Sequence, residues 1–282
     1  MSFRAALIQM CSSDDPSQNT VALCEALREA ARQGADIALT PEVSNCVSTS
    51  STHQRRVLAL EAEDQTLMAV QQEAQALGLW VVVGSLALQS GDPDGRLANR
   101  SFLIDPDGEI CARYDKIHMF DVQVSETETY RESAGFRPGE KAVLAPTPFA
   151  TLGLSICYDL RFAYLYRALA QAGAEVLTIP SAFSPVTGAA HWETLLRARA
   201  IETGCFVLAP AQTGRHAASE GRARATHGHS MVIAPWGEVL LDMGKEPGVG
   251  LVEIDLAQVA EARGRVPSLF HDREFQPPES AQ

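Results

Sequence analysis

Three ionisable residues each stand just beyond a strand-like run: Glu42 after DIALTP, Lys116 after ICARYD and Cys157 after LGLSI. Residues at strand ends can converge although they are distant in sequence, and α/β sheets commonly place their sites there. A thiol, a carboxylate and an ammonium brought together could open an amide. An amide is a poor electrophile, so the sulfur must attack as a thiolate, with the carboxylate taking its proton. The task calls for a Glu42 carboxyl raised from about 4.3 toward neutrality, as burial or a second carboxylate would do. Lys116 would stay cationic and stabilise the oxyanion together with the backbone N–H that follows Cys157. Protonated Glu42 would then protonate the departing amine and leave a thioester for water to cleave.

Each of these residues also has a blander reading. The six cysteines (Cys11, Cys24, Cys46, Cys111, Cys157 and Cys205) show no CxxC spacing, so neither a zinc knuckle nor a disulfide framework is indicated. A free cysteine is most often a small buried hydrophobe. Cys157 stands apart because strand, turn and helix follow one another there, the arrangement of a nucleophile elbow. His227 and His229 in THGHS alternate along an expected strand, but without a third ligand they read as structural, and no metal or other cofactor is expected. His118, near Lys116, leaves a Cys-His hydrolase open on paper, although Cys157 lacks the local signatures of papain-like or caspase-like enzymes.

The elements that must position these residues alternate in type. Residues 3–9 read as a strand, 19–33 as a helix stopped by Gly34, and Ile37 to Thr40 as a short buried strand running into Pro41-Glu42. A helix over 61–77 leads into LWVVVGSLAL, a continuous apolar run suited to a strand covered on both faces. Residues 97–117 look like a hairpin around Pro106-Asp107-Gly108 that delivers Lys116, and 121–141 like an irregular active-site loop. ATLGLSICYD is then a strand entering a turn, followed by helix 161–173, strand EVLTIP, helix 191–203, strand CFVLAPA and a hairpin around Pro235-Trp236-Gly237.

Two internal matches bind these elements into a pattern. LREAARQGADIALTPE (27–42) aligns without gaps to YRALAQAGAEVLTIPS (166–181), and FLIDPDGEI (102–110) to MVIAPWGEV (231–239). Each half thus carries the same helix-strand-hairpin unit in the same order. The expected architecture is α/β: a four-layer α-β-β-α sandwich of two mixed sheets flanked by helices, with a pseudo-twofold internal repeat. Residues 1–273 are expected to form one domain and 274–282 a C-terminal tail.

Composition bounds the partners. A net charge of −12 argues against nucleic acid and anionic membranes, which demand basic patches. No run of about 18 apolar residues appears, and MSFRAALIQM has no signal-peptide architecture, so a cytoplasmic location is expected.

The segments PE (41–42), YDKIHMFD (114–121) and SICYDLRF (155–162) resemble the three signature segments of the nitrilase superfamily, in the right order along nearly the whole chain. The resemblance implies a carbon-nitrogen hydrolase with a Glu42-Lys116-Cys157 triad, a four-layer fold and a homodimer or higher homo-oligomer. It also implies that Glu132, in YRES, assists the triad. Residues 180–216 and 226–240 are most similar to the deaminated glutathione amidase branch, with the ω-amidases as the sister alternative; a broader aliphatic amidase and a catalytically idle scaffold stay open. The expected partner is a small-molecule amide, an anionic 2-oxo acid amide. Candidate substrate-binding residues are Tyr158 and Arg161 in CYDLRF, and Ser181 and Phe183 in PSAF. Arg161 would bind the 2-oxo carboxylate bidentately, or else pair with Asp159 or Glu132.

Overall fold

The computed structural model describes residues 1–124 and 129–278. The first half runs β1 (Ser2–Gln9), α1 (Pro16–Arg32), β2 (Ile37–Leu39), α2 (Ser51–Val57), α3 (Gln65–Leu77), β3 (Trp80–Gln89), β4 (Leu97–Ile104) and β5 (Ile110–Asp115). A small hairpin, β6 (Asp121–Gln123) and β7 (Thr129–Arg131), separates it from the second half. That half runs β8 (Val143–Pro146), β9 (Thr151–Leu154), α4 (Ala163–Gln171), β10 (Val176–Thr178), α5 (Pro185–Thr203) and β11 (Phe206–Ala209). The chain finishes with β12 (Thr213–Arg215), β13 (Ala225–His227), β14 (Met231–Ile233), β15 (Val239–Asp242), β16 (Gly248–Asp255) and α6 (Ala257–Arg265).

Two six-stranded mixed sheets result, ordered β16-β1-β2-β3-β4-β5 and β15-β14-β11-β10-β9-β8. In the first, β1, β2 and β3 run parallel and β4 and β5 antiparallel; β9, β10, β11, β14 and β15 repeat that scheme strand for strand. The repeat expected from the internal matches is therefore a repeat of topology. Each sheet gains one antiparallel edge strand, β16 beside β1 and β8 beside β9.

Side-chain alternation along a strand explains the layers. On β1, Ala6 and Ile8 join Leu23, Leu27 and Ala30 of α1 and Val70 and Ala74 of α3 in one apolar cluster. Ala5 and Leu7 face the other way and pack with Leu152, Leu154 and Leu177 of the second sheet. That same core continues to Trp192, Leu196 and Ala200 of α5, so helices cover both outer faces and the α-β-β-α sandwich is the observed fold. Where Gly84 of the first half meets Pro180 of the second only glycine fits: a Cβ on Gly84 would lie 1.9 Å from the Thr40 carbonyl and 2.5 Å from Pro180.

Several boundaries differ from the sequence expectation, each for a local reason. The helix expected over 61–77 begins at Gln65 because the Asp64 side chain caps it, accepting from the Leu67 N–H at 2.8 Å. Helix α5 begins six residues before His191, with Ser184 accepting from the Thr187 N–H and Pro185 in its first turn. The loop expected over 121–141 contains the β6–β7 hairpin; its residues 125–128 lie outside the described residues, as do 279–282 of the expected tail. Helix α2, strand β16 and helix α6 were not anticipated. Among the described residues no helix is long and apolar enough to cross a membrane.

Candidate active site

Glu42 follows β2, Lys116 follows β5 and Cys157 follows β9, and the three strand ends meet in one cavity of about 600 Å³. Two backbone features fix the ends. Val43, next to Glu42, has φ 47°, a left-handed conformation costly for a β-branched residue, and its N–H donates to Ser85 Oγ at 2.8 Å. Cys157 itself has φ 50°, the strained turn expected of a nucleophile elbow. Its N–H donates to the Pro180 carbonyl at 2.9 Å, and it opens a five-residue 3-10 turn to Arg161. The Tyr158 N–H lies in the first turn of that short helix, where an N–H has no partner within the helix.

Lys116 Nζ donates to Glu42 Oε1 at 2.9 Å and to Glu132 Oε1 and Oε2 at 2.8 and 2.9 Å. Glu132 is held in turn by the Phe120 N–H at 2.6 Å. The Cys157 sulfur stands against the Glu42 carboxylate and the Ala182 N–H. Burial and the Glu42 carboxylate push the thiol well above its ordinary range, and Lys116 only partly offsets them. For Lys116 burial favours the neutral amine, yet Glu132, Glu42 and Cys157 outweigh it and hold the ammonium above its ordinary range.

The expected rise of Glu42 toward neutrality is not what the environment produces. Burial does raise it, but Lys116, Arg224 and the hydrogen bonds from Lys116 and Cys157 together hold the carboxyl below its ordinary value. The resting site is a neutral thiol beside an ionised carboxylate and an ammonium.

Of the expected substrate-binding residues, Tyr158 and Phe183 line the cavity, whereas Arg161 and Ser181 do not. Ser181 is fully buried, its hydroxyl donating to the Ile179 carbonyl at 3.1 Å. The Arg161 guanidinium lies 5.9 Å from the Tyr158 ring centre and 5.6 Å from that of Phe183, and it meets His191 Nδ1 at 3.3 Å. It pairs with neither Asp159 nor Glu132. Asp159 accepts from Tyr114 Oη at 2.6 Å, the Ile156 N–H at 2.9 Å and the His118 N–H at 3.0 Å, which pins the Lys116 segment to the Cys157 turn. His118 is engaged by Asp159 and by Tyr164 and does not line the cavity, so the Cys-His pairing is not formed. His227 and His229 stack on each other, and His229 Nδ1 pairs with Asp242 at 2.9 Å.

Three participants escaped the sequence reading. Asn99 donates to Glu42 Oε1 at 3.0 Å; in the strand LANRSFLI it stands beside Arg100 and Ser101, and nothing in the sequence marks it out from them. Ala182 contributes a backbone N–H, for which no side-chain signal exists. Arg224 faces the cavity from the segment between β12 and β13, where GRARA reads as an ordinary polar loop.

The carbon-nitrogen hydrolase family model matches residues 4–264. A deaminated glutathione amidase from Yersinia enterocolitica is 38% identical over 270 residues, covering 95% of this chain and 92% of the relative. An ω-amidase from Homo sapiens is 36% identical over 266 residues, covering 94% and 93%. The crystal structure of a nitrilase superfamily member from Saccharomyces cerevisiae superposes with a TM-score of 0.84 at 26% identity, covering 97% of each chain. A match of that extent, over a fold carrying Glu42, Lys116 and Cys157 in one cavity, leaves one assignment: the chain belongs to the carbon-nitrogen hydrolase family of the nitrilase superfamily.

Proposed function

We propose that this amidase hydrolyses deaminated glutathione to 2-oxoglutarate and cysteinylglycine through a thioester on Cys157. The carrying observation is the cavity itself. Its described lining holds five cations, Lys116, Arg55, Arg131, Arg222 and Arg224, against two carboxylates, Glu42 and Glu132. On a chain of net charge −12, a local excess of three positive charges suits an anionic substrate.

In this reading the Cys157 sulfur attacks the amide carbonyl as its proton passes to Glu42. Lys116 and the Tyr158 N–H stabilise the oxyanion. Glu42 then protonates the leaving nitrogen, the C–N bond breaks, and water, deprotonated by Glu42, cleaves the thioester. Glu132 keeps Lys116 charged and in place. Arg161 is assigned to the 2-oxo carboxylate although it stands just outside the cavity lining: among the described residues it has no acidic partner, and it rests on two rings that line the cavity. The reading includes a homo-oligomer and a cytoplasmic location, both resting on the resemblance and on composition.

The sister reading, an ω-amidase acting on 2-oxoglutaramate or 2-oxosuccinamate, is favoured by the 36% identity to the human ω-amidase. Release of 2-oxoglutarate from deaminated glutathione and from 2-oxoglutaramate, measured side by side, separates them. A kcat/KM higher for 2-oxoglutaramate would overturn the first reading in favour of the second.

A further inference from the structure

Deaminated glutathione carries two carboxylates, one on the acyl part and one at the glycine end of the leaving amine. Arg161, on the Phe183 side, is assigned to the first. The cationic wall beside Glu42 has no assigned role.

That wall is built rather than incidental. Arg224 lies close enough to Glu42 for its charge to act on that carboxyl, and its Nη2 donates to the Ala182 carbonyl at 2.5 Å. Its Nε is buried with no hydrogen-bond partner. A guanidinium N–H without a partner costs free energy unless a ligand completes it. Arg222 is tied to the loop that follows Glu42: its N–H donates to Thr49 Oγ1 at 3.0 Å, and that hydroxyl donates back to the Arg222 carbonyl at 2.8 Å. The Arg56–Glu220 pair at 2.6 Å fastens the same segment. Arg55 lines the cavity from α2. Among the described residues no carboxylate stands within ion-pair distance of Arg55, Arg222 or Arg224.

Glu42 is the proton donor to the leaving nitrogen, so that nitrogen must sit at Glu42 when the C–N bond breaks. The amine's substituent then extends along the wall that follows Glu42, toward Thr49, Arg55 and Arg222. Resting on the reading above, we infer that Arg224, supported by Arg222 and Arg55, binds the carboxylate of the leaving amine and selects amides whose amine portion is anionic. Arg161 and Arg224 then read the two ends of a dianion, one from beside the Phe183 ring and the other from the Ala182 carbonyl.

The test is the ratio of kcat/KM for deaminated glutathione to that for its analogue with a C-terminal carboxamide. Wild-type enzyme should prefer the carboxylate by about 10- to 100-fold, the scale of one charge-assisted hydrogen bond. Arg224→Met should bring the ratio close to one, Arg224→Lys should restore part of it, and Arg222→Met should lower it. Arg222 is exposed, so its variant supplies the measurement if Arg224→Met does not fold. A wild-type ratio near one, or a ratio unchanged in both methionine variants, overturns the subsite while leaving the amidase reading intact. Wild-type enzyme with no turnover of deaminated glutathione overturns the substrate reading, and the subsite falls with it.

Discussion

Lys116 Nζ lies between two carboxylates, 2.9 Å from Glu42 and 2.8 Å from Glu132, with only 2% of its side chain exposed. Removing that charge leaves Glu132 without its ion-pair partner and Glu42 with only the more distant Arg224. Lys116→Met should therefore lose about 3–5 kcal/mol of stability in denaturant unfolding. Lys116→Arg should fold yet lose at least ~10²-fold in turnover, because a planar fork does not replace a compact ammonium at an oxyanion. Near-wild-type turnover in Lys116→Arg would remove Lys116 from the oxyanion site.

Cys157, the proposed nucleophile, sits on a strained backbone. Cys157→Ala should abolish amide release while the protein stays folded, and Cys157→Ser should be nearly as damaging, since a carboxylate base generates an alkoxide far less readily. At φ 50° a glycine is unstrained, so Cys157→Gly should be more stable than Cys157→Ala by about 1 kcal/mol. A Cys157→Ala variant that keeps more than a trace of turnover would sink the covalent mechanism.

In the proposed mechanism the depressed Glu42 carboxyl sets the acid limb of the pH profile. The base must be ionised, and its folded value lies below the ordinary ~4.3, so kcat/KM should hold through weakly acid pH and fall only below about 4.3. Glu42→Gln should cost at least ~10²-fold at every pH. An acid limb between pH 6 and 7 in initial-rate measurements would show that burial outweighs Lys116 and Arg224.

His216 gives stability its own pH dependence. Burial and the Arg224 charge, partly offset by the Ser12 carbonyl, push its imidazole down to about 4. The ring meets Ser12 O at 2.7 Å and Thr226 Oγ1 at 2.8 Å. The unfolded chain takes up this proton first, near pH 6.5. Stability should be full above about 6.5 and fall by about 3 kcal/mol as pH drops to about 4. His216→Gln should flatten that window; an unchanged slope would place the titration elsewhere.

Arg161 is tested by substrate dependence. If it holds the 2-oxo carboxylate, Arg161→Met should lower kcat/KM by about 10-fold or more for deaminated glutathione and only slightly for a neutral amide. Equal losses on both would mean that its contacts with Phe183 and His191 merely support the wall.

The convergence of Glu42, Lys116 and Cys157 was legible because chemistry-bearing residues follow apolar runs at three strand ends. The layer architecture was legible because LREAARQGADIALTPE and YRALAQAGAEVLTIPS repeat one helix-strand unit. What escaped was what depends on distant neighbours. The lowered Glu42 carboxyl needs Arg224, 182 residues away along the chain. The start of α5 was missed although Ser184-Pro185 is a proper cap, because Gly188 reads as a breaker; it is accepted because the helix packs against His227 there, where a Cβ would lie 2.2 Å from the ring. Strand β16 was missed because GVGLVEID carries two glycines and half-exposed positions, a weak signal for an edge strand whose ladder partner is the distant β1.

That last strand governs the order in which the molecule can be completed. β16 pairs with β1 along its whole length, from Ser2 opposite Asp255 to Gln9 opposite Gly248. During synthesis β1 emerges well over 200 residues before its partner, so the row of N–H and C=O groups on that edge stays bare until residue 255 has left the ribosome. A nascent chain halted before residue 248 would hold Glu42, Lys116 and Cys157 and still present an open edge able to recruit another chain. Aggregation of truncated products, rather than loss of chemistry, is the hazard this closure removes.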